Sequence, residues 1–566
     1  MPNRRTEDQD KNWKLRDHFQ RRYGAMEDER SSFLPHWQDI ADHIRPRSLR
    51  VNNVIDYSKG SKFNKKIIDS SATLASRTLR SGLMAGLTSP ARPWFKLGTV
   101  DPDLEEHGAA KAWLYGVENQ MRDIFAKSNL YQVLPSVYGA LGDYGTAAMC
   151  CLEDEHSTVR FYYFLTGQFL IAVNQFNRCD TLYRRFPMTV RQMVQRFGID
   201  NVSPSTRQYF QSKQYETEME VCHCIEPNDK RDGIRLSSDN KPFRSVYFEW
   251  NASYGLFLRK SGFDEFPVMA PRWDLYDDSC YGYSPGMDAL GDIKALQLEQ
   301  RRKAEAIDKW VRPPMIADAS LRTQRSSILP GDVTYIEGLA QQKHAGFRPA
   351  YEVNPSIKEI LEDIQEIQGR IKRCYFEDMM AMLSQSDNPE MTAREIEERH
   401  SEKVLILGPV MERLNDELFD PLIERTFGIM LRRGLIPPPP QVLQGKQLKI
   451  EYISILAQAQ KLLGTANIEK VAAFTGSLAN LSPAALDKFD VDEAIDTYAD
   501  MHGINPNIIR TKEQVKVLRD IRQKQQQMSQ MAAMAKPVKE AAQAGKAMGE
   551  TDGGNVQDII KTMTGQ

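Results

Sequence analysis

Residues 12–44 place apolar side chains at helical spacing, first Leu15, Phe19 and Tyr23, then Trp37, Ile40 and Ile44, with Pro35 between the two sets. The spacing predicts two helices separated near that proline. Aromatic or alternating stretches at 160–164, 169–174, 181–186, 218–226, 245–250 and 254–260 predict strands. Among them, 189–197 predicts a short helix that Gly198 ends. After Pro285 the period changes. Residues 286–311 contain no proline and stop at Pro313-Pro314, a helix of about 39 Å at 1.5 Å per residue. An irregular or strand-bearing insert, 313–354, separates it from a second helix that starts at Pro355-Ser356. Ile357, Ile360, Ile364, Ile367, Ile371 and Cys374 alternate steps of three and four, a packing seam along one face. Leu361 and Tyr375 lie off that seam, so the helix is expected to pack on more than one neighbour.

The polar run 383–390 breaks the pattern. Thr392-Ala393-Arg394-Glu395 then reads as a capping box opening a third long helix, with a kink expected at Gly408-Pro409. That helical stretch ends at Gly434 and the run Pro437 to Pro440. Short helices fill about 454–500, and a last one opens at the box Thr511-Lys512-Glu513-Gln514 and runs toward Pro537, ahead of a frayed tail. Strand-rich first, helix-rich after, the chain reads as α+β.

Charge and composition narrow the function. Seventy-four basic residues stand against 76 acidic ones, a net of −2. A protein that grips nucleic acid tightly carries a basic excess, because phosphate neutralisation drives such binding. The local exception is 43–96, with eleven Lys/Arg against two Asp and many small residues; it reads as a solvated helical face, with a nucleic-acid patch as the competing role. Seven cysteines without a CxxC pair read as reduced, mostly buried thiols. The N-terminal residues lack an apolar signal region. The weakly charged stretch 128–152 is interrupted by Asp143, Pro135 and three glycines, so no membrane span is expected.

Several chemistries are absent or incomplete. No two of the 34 glycines are separated by one residue, which removes the GxG phosphate loops. Gly445-Lys446 is followed by Gln447 and Gly545-Lys546 by Ala547, so neither is a P-loop, and nothing implies a cofactor. Gly282-Tyr283-Ser284-Pro285-Gly286 matches the GxSxG nucleophile elbow, with His344 or His400 downstream as bases. That elbow needs an N–H on the residue after the serine, and Pro285 has none. Ser284 as N-cap with Pro285 at the first helical position is the better reading. Cys222-His223-Cys224 with Cys179 suggests zinc, but on a strand Cys222 and Cys224 share a face and His223 points away.

The segments LGDYGTAAM (141–149), FPMTVRQMVQRFG (186–198), FPVMAPRWDLYDDSCYGYSPGMDALGDIKALQ (266–297) and MTAREIEERHSEKVLILGPVMERLNDELFDPLIERTFGIM (391–430), in this order of elements, resemble the portal (head-to-tail connector) proteins of short-tailed bacteriophages. The resemblance covers nearly all of 10–500. It implies a wing from 1–285 and 393–455, the latter holding the kinked long helix. It implies stem helices at 286–312 and 355–378, a clip at 313–354 and a tunnel loop at 379–392. A crown at 456–510, a barrel helix at 511–550 and a flexible tail at 551–566 complete it. It further implies a non-enzymatic ring, usually of twelve copies, assembled in the host cytoplasm at one capsid vertex. Its partners would be transiently bound double-stranded DNA, terminase, capsid and scaffolding proteins, and tail or adaptor proteins. Ser384, Gln385, Ser386, Asp387 and Asn388 would line the channel. Arg301, Arg302 and Lys303 on the stem are candidates for facing it, with ion pairing between subunits as their competing role. The reading of another class is a monomeric DNA-binding protein that uses 43–96.

Overall fold

A computed structural model describes residues 4–46, 48–49, 65–101, 108–232, 234–235, 237–252, 256–276, 279–316, 322, 348–349, 357–385, 406–446, 448–454, 456, 466–479, 488, 490–495, 510 and 514–528. The chain opens with α1 (Arg4–Ser31) and α2 (Leu34–His43), and Pro35 occupies the first turn of the second, where its missing N–H is harmless. Then come α3 (Ser71–Leu87), β1 (Phe95–Thr99), α4 (Gly108–Lys127) and α5 (Leu130–Tyr144). The strand-rich layer contains β2 (Ala148–Asp154), β3 (Thr158–Phe164), β4 (Phe169–Val173) and β5 (Cys179–Thr189). Two short helices, α6 (Val190–Phe197) and α7 (Pro204–Gln211), precede β6 (Glu218–Pro227), β7 (Phe243–Glu249), β8 (Arg259–Phe263) and β9 (Val268–Met269).

The second half contains the long α8 (Pro285–Val311), β10 (Met315–Ile316), β11 (Arg348–Pro349), α9 (Ile357–Cys374) and α10 (Glu377–Gln385). Residues 406–414 are helical and lead through a π turn, Asn415–Phe419, into α11 (Asp420–Arg432). β12 (Leu448–Tyr452), α12 (Ala466–Ala479) and a helical stretch at 514–528 follow. The chain divides into two units. One holds 1–98, 115–438 and 449–489; the other holds 99–114, 439–448 and 490–566. Within the described part of the second, Arg519 pairs with Asp492 at 2.6 Å.

In the large unit, β4-β5-β6-β7-β8 form an antiparallel meander, and β3-β2-β9 a smaller antiparallel sheet. Alternation along β6 gives the meander two different faces. Cys222 and Cys224 join Leu170, Tyr183, Val246 and Phe248 beneath Phe19, Tyr23 and Met26 of α1. Val221 joins Tyr247 and Leu258 beneath Met193 and Phe197 of α6. The α6 helix forms as its sequence directs: Thr189 and Gln192 close a capping box, and Gly198 ends the helix at φ +84°. α1 is fastened by charge as well as packing. The fully buried Glu226 carboxylate receives Arg22 (2.7 Å), Arg244, His18 and the Tyr183 hydroxyl. Burial works to raise its pKa, but the Tyr183 hydrogen bond and the Arg244 and Arg22 charges outweigh it and leave the pKa lowered.

Five expectations need correction. The strand expected at 254–260 begins only at Arg259. Helix 355–378 is two helices, because Tyr375 and Phe376 form a turn with Phe376 at φ +54°. The helix resumes through 379–385, where a loop was expected, because Met379 and Met380 are buried. The stretch 406–414 runs through Gly408 and Pro409, and the irregularity is the π turn, Asn415–Phe419, immediately before Asp420-Pro421. The proline there removes one helical N–H, which fits a widened turn preceding it. Finally, α3 is solvated on one side only: Leu74, Arg77 and Ser81 are exposed, while Ala72, Ala75, Ser76, Leu79, Gly82, Leu83, Gly86 and Leu87 are buried. Small residues allow close approach. A Cβ on Gly82 would fall 2.5 Å from that of Met380.

Candidate functional site: the long helix pair and its buried anchor

α8 begins as its sequence demands. Ser284 Oγ accepts from the Met287 N–H at 3.1 Å and donates to the Asp143 carbonyl at 2.7 Å, with Pro285 at the first helical position. Ser284 is 2% exposed and both roles occupy its hydroxyl, so the elbow reading fails on geometry as well as on Pro285. His344 and His400 lie outside the described residues. The turn into α8 presses on the end of α5. Gly145 sits at φ +77°, and a Cβ there would meet the Gly282 carbonyl oxygen at 2.2 Å. Cys222 Sγ and Cys224 Sγ are 3.6 Å apart, while His223 faces Ser245 and Tyr247 on the opposite side of the sheet.

α9 returns antiparallel along α8. Arg370 of α9 pairs with Asp292 of α8 at 3.1 Å, and Pro349↔Met315 closes the strand pair beyond them. Ile364, Ile367 and Ile371 of the seam are buried. The Asp69 carboxylate, ahead of α3, accepts from Gln300 of α8 (2.8 Å) and Gln368 of α9 (2.9 Å), tying both helices to one point. Burial acts to raise the Asp69 pKa, and the hydrogen bonds from Ser71, Gln368 and Gln300 override it, leaving it lowered. Lys294 reaches Asp39 of α2 at 2.6 Å.

Beneath the pair lies a charged group that sequence reasoning treated only as an interruption. Asp143, at the end of α5, is fully buried. Its carboxylate receives Arg45 at 3.0 Å, Ser76 Oγ of α3 at 2.7 Å and the hydroxyl of Tyr375, at the α9–α10 turn, at 3.4 Å. Burial raises the Asp143 pKa against the lowering pull of Arg45 and Ser76. The hydroxyl of Tyr375 is pushed up by burial and by the same carboxylate. One buried carboxylate thus joins the segment after α2, α3, α5 and the α9–α10 turn, with α8 capped on its own backbone. Tyr375, expected to face a further neighbour, is consumed inside its own chain, whereas Leu361 is exposed.

Arg301 and Arg302 point into solvent and pair along their own helix, with Glu305 at 4.0 Å and Glu299 at 3.1 Å; Lys303 is half-buried. Ser384 and Gln385 fall in the last turn of α10, while Ser386, Asp387 and Asn388 lie outside the described residues. The far half of α8 is apolar where it should not be. Leu298, Ile307, Trp310 and Val311 are exposed, the last two at 56% and 65%, and Met315 and Ile316 continue the patch. Among the described residues no helix is long and apolar enough to cross a membrane, and no three His, Cys, Asp or Glu are grouped to hold a metal ion.

Comparison with known proteins agrees with the resemblance. A family described as bacteriophage head to tail connecting protein matches residues 16–509. The portal protein of Salmonella phage epsilon15 is 47% identical over 527 residues, 93% of this chain and 94% of that protein. A protein of Bordetella phage BPP-1, described as a probable portal protein, is 43% identical over 501 residues, 88% and 90% of the two chains. Among solved structures, the neck of an empty GTA particle aligns over 78% of this chain and 95% of its own at 11% identity, and its TM-score of 0.34 is too low to carry an inference. With a family match across most of its length and two relatives above 40% identity, this chain belongs to the bacteriophage head-to-tail connecting proteins, the portal family.

Proposed function

We propose that the chain assembles head-to-tail into a closed ring, usually of twelve copies, at one capsid vertex. Double-stranded DNA passes through the ring during packaging and ejection. Terminase docks on it first and tail proteins later. The observation that carries the ring is the solvent-exposed apolar run on α8 and its extension, Leu298, Ile307, Trp310, Val311, Met315 and Ile316. Such a run on a helix otherwise studded with charge calls for a protein partner. A heterologous contact that closes satisfies every copy equally. The chain's near-neutral charge suits a conduit, since DNA that must slide should not be held.

In this reading 313–354 sits at the tip of the stem and 384–388 borders the channel, with α10 holding the start of that segment. The residues supply packing and surface; no catalytic step is assigned to them. The monomeric DNA-binding alternative is weakened, because one face of α3 is packed against the core and Arg45 is spent on Asp143. Sedimentation of the purified protein tests the proposal: a species of many subunits is expected, and monomers or two-fold dimers at every concentration would overturn it.

A further inference from the structure

The second face of the five-stranded sheet carries a row of side chains that neither ring nor channel explains. Arg184 of β5 pairs in register with His223 of β6, His223 with Tyr247 of β7, and Tyr247 with Arg259 of β8. Directly opposed residues emerge on one face, so the four form a continuous cross-strand row. His223 stacks on Tyr247 at 3.8 Å with an interplanar angle of 8°. Arg196, from α6 above, lies 5.0 Å over the Tyr247 ring and donates to its hydroxyl at 3.1 Å. Arg184 is hydrogen-bonded to the same hydroxyl and held between the rings of Phe164 and Phe186 at 4.4 and 4.2 Å. Two guanidiniums therefore converge on one oxygen, with a third beside them.

What is missing, among the described residues, is the acid. On the other face, Arg185 is bound by both oxygens of Glu220 at 2.8 Å, and Arg244 by Glu226. On this face the charges that act on His223 are all cationic, namely Arg184, Arg196 and Arg259. The nearby carboxylate of β7, Glu249, is taken by Ser203 N–H (2.7 Å), Ser203 Oγ (2.6 Å) and Thr206 Oγ1 (2.8 Å) at the start of α7. Two buried nitrogens of the row, Arg184 Nε and His223 Nδ1, have no hydrogen-bond partner among the described residues. Like charges brought together on a rigid sheet without a counter-charge repel one another, and a bound anion relieves that.

We propose that Arg184 and Arg196, with Arg259 alongside, form a binding site for a phosphate-type oxyanion. Forked guanidiniums and a tyrosine hydroxyl supply more donors than a two-oxygen carboxylate can use, whereas a tetrahedral oxyanion can accept from all of them. Arg196 and Arg259 are exposed and give the anion its approach, and Arg184 forms the inner wall. The anion is either free phosphate or a phosphodiester of nucleic acid. The sheet, not the stem, presents this site, so it is independent of the ring proposal.

The test uses the full-length protein and inorganic phosphate, titrated against chloride at matched ionic strength, with thermal unfolding as readout. Phosphate should raise the midpoint of the wild type. Arg196→Gln, an exposed change that leaves the sheet intact, should weaken the phosphate response about tenfold, and Arg259→Gln should weaken it less. A second arm adds a short DNA duplex. Displacement of phosphate that depends on Arg196 identifies a phosphodiester, and absence of displacement identifies free phosphate; both outcomes keep the site. An equal phosphate response in wild type and Arg196→Gln overturns the proposal. So does loss of subunit association in Arg196→Gln without any phosphate response, which would make the arginines partners of a neighbouring copy's carboxylate.

Discussion

Replacing Asp143 by alanine removes the carboxylate on which Arg45, Ser76 and Tyr375 converge and leaves Arg45 without its anion. Removing one partner of a buried ion pair destabilises by about 3–5 kcal/mol. Arg45 keeps 24% of its side chain in contact with solvent, which places the expected loss near the lower end, about 3 kcal/mol. Unfolding entropy near 2 cal/mol/K per residue, over 566 residues, converts each kcal/mol into about 1 °C. Calorimetry at one scan rate should therefore show the midpoint fall by about 3 °C. Asp143→Asn, which keeps the shape and one acceptor, should fall less. The double variant Arg45→Ala with Asp143→Ala should lose less than the sum of the two single changes, since the second removes the stranded charge. An Asp143→Ala protein within 1 °C of wild type, or additive losses, would refute the hub.

Glu226 should govern the acid limit of the α1–sheet contact. Its pKa is lowered in the folded protein, so its contribution is full above the ordinary glutamate value of about 4.3 and is lost as pH falls through the lowered folded value. Glu226→Gln should be less stable at neutral pH and show a flatter loss between about pH 5 and 3, measured by thermal midpoint against pH; an unchanged slope contradicts the assignment. Asp143 acts in the opposite sense: its pKa is raised, so its titration favours the fold as pH falls. Ser284→Ala should cost about 1 kcal/mol as a lost helix cap, with no hydrolytic activity to lose; an ester-hydrolysis rate that depends on Ser284 would contradict this. Changing Ser384, Gln385 and Ser386 together to lysine should leave assembly intact and slow DNA passage, and packaging at the wild-type rate would show that the segment does not face DNA.

Much of the fold was legible because local rules acted alone. Thr189 and Gln192 cap α6, Ser284 and Pro285 open α8, and the alternation of Val221, Cys222, His223 and Cys224 separates the two faces of the sheet. Gly434, at φ +66°, closes α11, with Leu435 N–H reaching the Met430 carbonyl beyond it. What the sequence hid was decided by distant partners. Asp143 looks like a break in an apolar run until Arg45, Ser76 and Tyr375 come to it from separations of 98, 67 and 232 residues. The turn at Phe376 leaves no local mark, because Phe at positive φ is held there by the burial of Tyr375 before it and Met379 and Met380 after it. The arginine row likewise needs three strand registers before its members become neighbours.

End-on electron micrographs of the purified protein test the central claim most directly. The account predicts closed rings of uniform subunit number around an open channel, lost when Trp310 and Val311 are replaced by lysine while the monomer keeps its thermal midpoint. Rings that persist unchanged in that variant, or a wild type that never forms rings, would contradict it.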